Sequence, residues 1–442
     1  MRTFPRLART AAIALFAAVP LAVAGCSPGT PASTSPSHAS GGATSGTIHM
    51  TFWGWAPGYP DSVKAFNASQ SKIVVSYQQV QPGPKGAYQK MLTAVHAGNA
   101  PCLAQVGYET LPSFVAAGAV EDISQYANAD EGLFTPASWN SVKIGNAVYG
   151  EPVDTGPMGL FYNKSLFTKY HISVPKTWAQ YRQAGLALKK DNPSIKLTSP
   201  YMDYDYAGFD WQAGAPWFGA KGSSWNVSYG SSAGQKVSSY WQSLVSDGLV
   251  SPAPMYDQAW YTGIGNGTIA TVVGAVWQAG VIKGGTTAAK GKWAVAPMPQ
   301  WSAGQDAVGN AGGSSTAVLK GCATPQAAFQ FAHFMSTDPA SYGNLINKAG
   351  LYPAAKALLN APQLQAPDPY FGGEKIFDVF KAAAPHVVTG WQWGPNMPEA
   401  TVVLDDQLSK AWSGSEPLAT ALSNTQTSVI AKMKAEGLSV SG

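Results

Sequence analysis

Aromatic rings and carboxylates recur in this sequence at the ends of short apolar runs. Trp53 and Trp55 stand at the end of the β-rich run HMTFW, and Tyr108 and Glu109 follow the apolar stretch Leu103 to Val106. Tyr206, Asp210 and Trp211 lie in YMDYDYAGFDW, a segment too polar and aromatic for simple core. Trp277 and Gln278 close the run IATVVGAVW, and Trp301 follows Pro297-Met298-Pro299. Trp391, Trp393 and Asn396 belong to WQWGPN, a loop by its Gly and Pro. Flat aromatic surfaces suit the C–H faces of a sugar ring, and a few fixed polar groups suit its hydroxyls. A ligand lacking one hydroxyl leaves its buried partner unpaired, at about 1–3 kcal/mol, so the polar groups also discriminate. Packing inside a core remains the alternative for each loop tryptophan. For the helix-spaced Trp178 and Trp241, core is the expectation.

Residues that would cut rather than hold are harder to find. Gly230-Ser231-Ser232-Ala233-Gly234 formally matches the G-x-S-x-G nucleophile turn, which would make Ser232 a nucleophile. That turn needs a buried strand before it, and the preceding SSWNVSY is short and polar, so Ser231 and Ser232 are expected to cap a helix instead. Paired carboxylates for glycoside hydrolysis stay open, because any Asp or Glu could meet another in the fold. The six histidines (His38, His49, His96, His171, His333 and His386) never pair at short spacing or join a Cys/His cluster, so no metal site is evident. The reading calls for no catalytic residue and no cofactor.

These candidates need elements to position them, and the strand and helix signals alternate. HMTFW, IVVSYQQV and Leu103 to Val106 read as strands. Asp61 is placed to cap a helix through Asn67. Tyr88, Met91, Leu92 and Val95 line one face of a helix ended by Gly98. Leu111 to Ala117 begins another helix, MGLFY (158–162) reads as a strand, and Thr177 caps a helix with Trp178, Tyr181 and Leu188 on its core face. Val237, Tyr240, Trp241 and Leu244 again have helical spacing, Thr324-Pro325 opens a helix, and the last long one runs from about Pro417 to Glu436. Strand–helix alternation of this kind implies an α/β fold with a mostly parallel sheet.

The chain's beginning reads as an address. Arg2, Arg6 and Arg9 precede an apolar run from Ala11 to Ala24 that is too short to span a bilayer, as in a removed signal peptide. Val23-Ala24-Gly25-Cys26 resembles the bacterial lipobox, in which the Cys becomes the lipidated first residue. The following stretch to residue 47 is almost entirely Ser, Thr, Pro, Gly and Ala, a composition that tethers rather than folds. About 395 residues remain, enough for two lobes. Without the three leader arginines the chain carries 25 basic residues against 24 acidic, and that near-neutral balance argues against nucleic acid as a partner. Two further cysteines, Cys102 and Cys322, are an even pair in an exported chain and suggest a disulfide; two buried thiols are the alternative.

Three blocks carry a family likeness: YGEPVDTGPMGLFYN (149–163) leading through Lys164, Leu166 and Phe167 to PKTW (175–178); Gly312-Gly313-Ser314-Ser315 with Ala317-Val318 and Ala327-Ala328-Phe329; and Leu351-Tyr352-Pro353-Ala354. In order and spacing they resemble family 1 extracellular solute-binding proteins, the sugar-binding lipoproteins of ABC importers, over essentially everything after residue 47. The resemblance implies a two-lobed fold of maltose-binding-protein type. The first lobe would take 48–154 and 312–366, the second 155–311 and 367–442, with crossings near Val153–Gly156, Asn310–Ser314 and Pro367. It places Asp154, Asn310, Gly312 and Gly313 at the crossings as further ligand-site candidates, and puts both Cys102 and Cys322 in the first lobe. The implied function is capture of a di- or oligosaccharide by a monomer anchored through Cys26, for delivery to ABC permease subunits. A polyamine or other non-sugar solute is the alternative. Two departures stand out: Cys102 replaces an Asp common in such proteins, and the aromatic load is heavy, with 15 Trp.

Overall fold

The computed structural model describes residues 46–221 and 224–441. The leader, Cys26 and most of the tether lie outside them. The described chain forms one compact unit from Gly46 onward, built on two main sheets. The first has the order Ile73–Gln79, Ile48–Gly54, Leu103–Gly107, Ser314–Val318, Glu151–Pro152. Its first three strands run parallel, with Ile48 opposite Ile73 and Phe52 opposite Leu103. Ser314–Val318 then returns antiparallel beside Leu103–Gly107, and Glu151–Pro152 pairs antiparallel with it. The second sheet sets Met158–Asn163 between Thr271–Ala275 and Trp293–Pro297, both antiparallel to it.

The expected mostly parallel sheet therefore holds only for the first three strands. Strand–helix alternation reports which segments are strands but not the direction in which a distant segment re-enters. Ser314–Val318 and Thr271–Ala275 both come back the other way. The chain passes from the first sheet to the second through Val153–Pro157, between Glu151–Pro152 and Met158–Asn163, and returns before Ser314. Each sheet is thus assembled from separated stretches, a two-lobed α/β arrangement.

Helices form where the apolar spacing places them. Thr177 caps the Trp178–Asp191 helix by accepting from the Gln180 amide, and Val237, Trp241 and Leu244 bury one face of Ser232–Ser246. The Tyr59–Ser69 helix starts at Gly58 rather than at Asp61, which sits in its first turn, where a carboxylate suits the positive helix end. Ser232 opens its helix and Ser231 Oγ accepts from the Gly234 amide at 3.2 Å, so the G-x-S-x-G match is a helix cap. Trp178 and Trp241 are buried and pack edge-on at 5.5 Å, in a core shared with Tyr181 and Phe209.

Cys102 and Cys322 are joined in a disulfide, with Cα atoms 4.6 Å apart and a sequence separation of 220. Sheet register and a turn explain the meeting: Leu103 lies opposite Val318, the Leu319 amide donates to the Cys102 carbonyl, and the 319–322 turn, closed by the Cys322 amide on the Leu319 carbonyl, brings Cys322 back beside Cys102.

Candidate functional site

Side chains from both sheets' segments converge beyond the end of the Leu103–Gly107 strand. Glu109 is 7% exposed there and takes a 2.6 Å hydrogen bond from the Tyr88 hydroxyl on Oε1. Tyr88 also accepts from the Gly107 amide at 3.1 Å, and Trp55 stands edge-on to its ring at 5.8 Å. The Trp55 backbone is fixed by donation to Gln105 Oε1. Burial pushes the Glu109 carboxyl up, against the stabilising bond from Tyr88. Trp53, two residues before Trp55, is nearly buried, with Lys90 Nζ 4.3 Å from its ring centre. Lys90 also borders a hollow of about 520 Å³ with Gln79, Val80, Gln81, Gly86 and Ala87.

From the second sheet's side come Trp277 and Tyr204. Their rings meet edge-on at 6.0 Å, and Trp277 Nε1 donates to the Ala311 carbonyl at 2.9 Å. Gly312 and Gly313 fill the space between Trp277 and Tyr108. A Cβ on Gly313 would lie 2.7 Å from the Tyr108 ring, and one on Gly312 would lie 3.4 Å from Trp277 Nε1. Tyr108 is buried with its hydroxyl unpartnered.

Asp154 and Asn310 are at the crossings but are committed to the backbone. Asp154 Oδ1 accepts from both the amide and the hydroxyl of Ser314, at 2.9 and 2.7 Å. Burial raises its carboxyl to about 6, less than it would without those two donors. Asn310 accepts from the Gly156 amide and donates to the Gly312 carbonyl, tying the two crossing segments together.

Carboxylates gather behind Tyr204. Asp203, Asp205 and Asp405 are all pushed up chiefly by burial, Asp205 to about 7 and Asp405 to about 6. Asp405 Oδ1 accepts from the Asp203 amide at 2.9 Å, and Asp203 holds a strained φ of +31° at the start of its helix. Asp205 accepts from Tyr256. Among the described residues, no lysine or arginine forms an ion pair with Glu109, Asp154, Asp203, Asp205 or Asp405.

A second aromatic group lies around WQWGPN. Trp211 and Trp391 stack in parallel at 4.8 Å, Trp393 stands edge-on to Trp391 at 5.3 Å, and Trp217 closes the group. One face of each stacked indole is thus spent on the other. Asn396 beside them is 3% exposed, and both of its amide atoms lack a partner. The next amide, Met397, donates to Ser113 Oγ at 3.1 Å, a bond to the helix that follows Glu109.

Other candidates sit elsewhere. YMDYDYAGFDW is largely core after all: Asp203–Gln212 is a helix, with Tyr206 fully buried against Phe209 and Trp412. Asp210 is fully buried too, accepting from Trp217 Nε1 at 2.7 Å. Trp301 packs on Trp178 and Tyr240 with Lys236 over its ring, in the core group around Trp178. Gln278 is buried at a helix start with its amide unpartnered. Sequence reading missed Tyr88, Ser113, Asp203, Tyr204 and Asp405. Tyr204 and Asp203 neighbour the chosen Tyr206, whereas Tyr88 was absorbed into a helical core pattern.

Residues 53–341 match the family profile of bacterial extracellular solute-binding proteins. The chain belongs to that family. This solute-binding protein is 23% identical to the lactose-binding protein of Rhizobium radiobacter over 353 residues, 75% of this chain and 81% of that protein. It resembles the galacto-N-biose-/lacto-N-biose I-binding protein of the ABC transporter from Bifidobacterium longum, solved with lacto-N-biose: TM-score 0.81, 29% identity, 90% of this chain and 100% of that one. The ABC transporter associated binding protein of B. animalis subsp. lactis, solved with β-1,6-galactobiose, gives TM-score 0.81 and 28% identity over the same shares. The two solved relatives are binding proteins of ABC transporters, and the family is one of extracellular solute-binding proteins, so this chain is an exported solute-binding protein.

Proposed function

We propose that this solute-binding protein captures a di- or oligosaccharide between two lobes and presents it to ABC permease subunits. The observation that carries the reading is the ring-lined junction around Glu109: Trp55 and Tyr88 from the first sheet's segments, Tyr204 and Trp277 from the second's. Aromatic faces on both sides with a hydrogen-bonding carboxyl between them suit a sugar ring. Asn396, with a buried amide that lacks partners, and Tyr108 complete the proposed contacts. The proposed lobes are 48–154 with 312–366 and 155–311 with 367–442. The strands support that division, since no strand of either main sheet violates it. A ligand touching both lobes favours the closed state, and closure is the signal a permease can read. A lipid on Cys26 and the Ser/Pro-rich tether would hold a monomeric binder near the membrane. Its work is binding, without turnover.

A cationic solute such as a polyamine is the second reading, favoured by the unpaired Asp203, Asp205 and Asp405. Calorimetric titration of the purified protein with lactose, β-1,6-galactobiose, lacto-N-biose and spermidine separates the two. Saturable heat with a saccharide, and no release of aryl-glycoside product, is the expected result. Binding of spermidine alone would replace the sugar reading, and glycoside turnover would end the binding-only one.

A further inference from the structure

Three side chains distant in sequence meet in the first sheet's layer, away from the proposed ligand site. Glu151 is the last strand of that sheet, His333 lies on the Pro325–Thr337 helix packed over it, and Asp130 comes from the 128–133 turn. One donor atom from each falls within 4.8 Å of the others. His333 Nδ1 is 2.7 Å from Asp130 Oδ2 and 3.3 Å from Glu151 Oε1. No short-range spacing announces this group.

Two buried atoms at the group are left without partners. Glu151 is fully buried, yet its Oε2 makes no hydrogen bond. Thr316 is fully buried as well, and its hydroxyl is unpartnered. Thr316 is the cross-strand partner of Glu151, so the two side chains leave the sheet on the same face. That face is the one the His333 helix covers. A buried carboxylate oxygen and hydroxyl beside an imidazole are costly unless something completes them.

We infer that Asp130, Glu151 and His333 form a site for one first-row divalent cation such as Zn²⁺, held through Asp130 Oδ2, Glu151 and His333 Nδ1. The charge fits. Two carboxylates with a neutral imidazole balance the charge of a divalent ion. The geometry fits too. Zinc takes oxygen and imidazole ligands at about 2.0–2.2 Å in tetrahedral array, which separates neighbouring donors by roughly 3.3–3.6 Å. The His333–Glu151 distance already has that value, and the His333–Asp130 pair opens by several tenths of an ångström as the shared proton leaves. The fourth position is free for water, with the Thr316 hydroxyl on that same face. An imidazole donor and only three protein ligands suit zinc, cobalt or manganese and not calcium, which takes six to eight oxygens. Glu151 leads directly into the 153–157 crossing. The cation would therefore pin that strand to the helix above it, whatever solute the protein carries.

The test uses full-length protein without a histidine tag, stripped with EDTA, and then titrated with ZnCl₂ by calorimetry and with CoCl₂ by visible absorption. Asp130 and His333 are partly exposed, so Asp130→Asn and His333→Gln should fold, and circular dichroism checks that they do. We expect one zinc per chain, a cobalt spectrum with nitrogen–oxygen character, and a rise in Tm of several degrees that magnesium does not reproduce. Each variant should lose at least tenfold in zinc affinity. No uptake by the wild-type protein, which would mean a proton-bridged triad only, overturns the inference. So does uptake that survives unchanged in both variants. Neither result bears on sugar binding, which is measured separately.

Discussion

Adding one methyl group at three glycines tests whether the crossing is held by packing or merely by backbone freedom. Gly214, Gly312 and Gly313 all have positive φ, at +70°, +70° and +101°. A Cβ on Gly214 meets nothing within 4 Å, so Gly214→Ala reports the conformational cost alone, about 1–2 kcal/mol. Gly312→Ala adds a 3.4 Å contact with Trp277 Nε1, close to ordinary van der Waals distance, and should match the control. Gly313→Ala is different. Its Cβ would sit 2.7 and 2.8 Å from two Tyr108 ring atoms and 3.1 Å from the Asp154 carbonyl oxygen. The ring is 4% exposed and the carbonyl is backbone, so neither yields cheaply. Overpacking of that kind costs about 1–3 kcal/mol more, which brings Gly313→Ala to roughly 2–5 kcal/mol. Urea unfolding followed by tryptophan fluorescence measures all three. If Gly313→Ala falls within about 1 kcal/mol of Gly214→Ala, Tyr108 is free to swing away, and the wedge between Trp277 and Tyr108 is not a wedge.

Removing the disulfide by Cys102→Ala with Cys322→Ala frees a loop spanning 220 residues, and loop-closure entropy puts the loss at about 2–5 kcal/mol. Urea midpoints should fall while ligand affinity stays the same; an unchanged midpoint would show that the sheet alone holds those strands. Ligand-free stability should decline from pH 5 to pH 8. The carboxyls of Asp154, Asp405, Glu151 and Asp205 are raised to about 6, 6, 7 and 7, so the folded chain keeps protons that the unfolded chain releases from about pH 4 upward. His333, also raised, adds in the same direction as pH climbs through its folded pKa. Calorimetry should show Tm lower at pH 8 by several degrees, and a flat or rising profile would refute the sign. Finally, Tyr88→Phe removes the 2.6 Å bond to Glu109, and loss of a carboxylate's partner costs about 1.5–3 kcal/mol, or roughly 10- to 100-fold in saccharide affinity. Equal affinity would place the ligand elsewhere.

What the sequence disclosed depended on whether a signal was local. Apolar runs and helical spacing found the strands and the caps at Thr177 and Ser231, because period and capping chemistry act within a few residues. The same local logic failed on YMDYDYAGFDW. Its polarity argues against simple core, but the Asp203–Gln212 helix is buried nearly all round, with Asp210 satisfied by Trp217 and Asp205 by Tyr256. Those partners lie outside the window in which the segment was read. Asp154 and Asn310 show the reverse case. Both stand at the crossings the family pattern implied, yet their polar atoms grip Ser314, Gly156 and Gly312, a commitment that only three-dimensional contacts reveal. The antiparallel second sheet was illegible for the same reason, since its three strands come from distant parts of the chain.

Buried acids at the proposed ligand site look at first like a case against a neutral ligand, because unpaired carboxylates ordinarily call for a cation. Their environment argues otherwise. Desolvation is the largest influence on Glu109, Asp203, Asp205 and Asp405, and it favours the protonated form. A protonated carboxyl both donates and accepts, as a sugar hydroxyl does, and it carries no charge that a neutral ligand would leave uncompensated. A cation, by contrast, gains less from a carboxyl that burial biases toward its neutral form than from an ordinary carboxylate. The same burial that makes these groups expensive as anions makes them suitable partners for hydroxyls, while Trp55, Tyr88, Tyr204 and Trp277 supply the apolar faces between them.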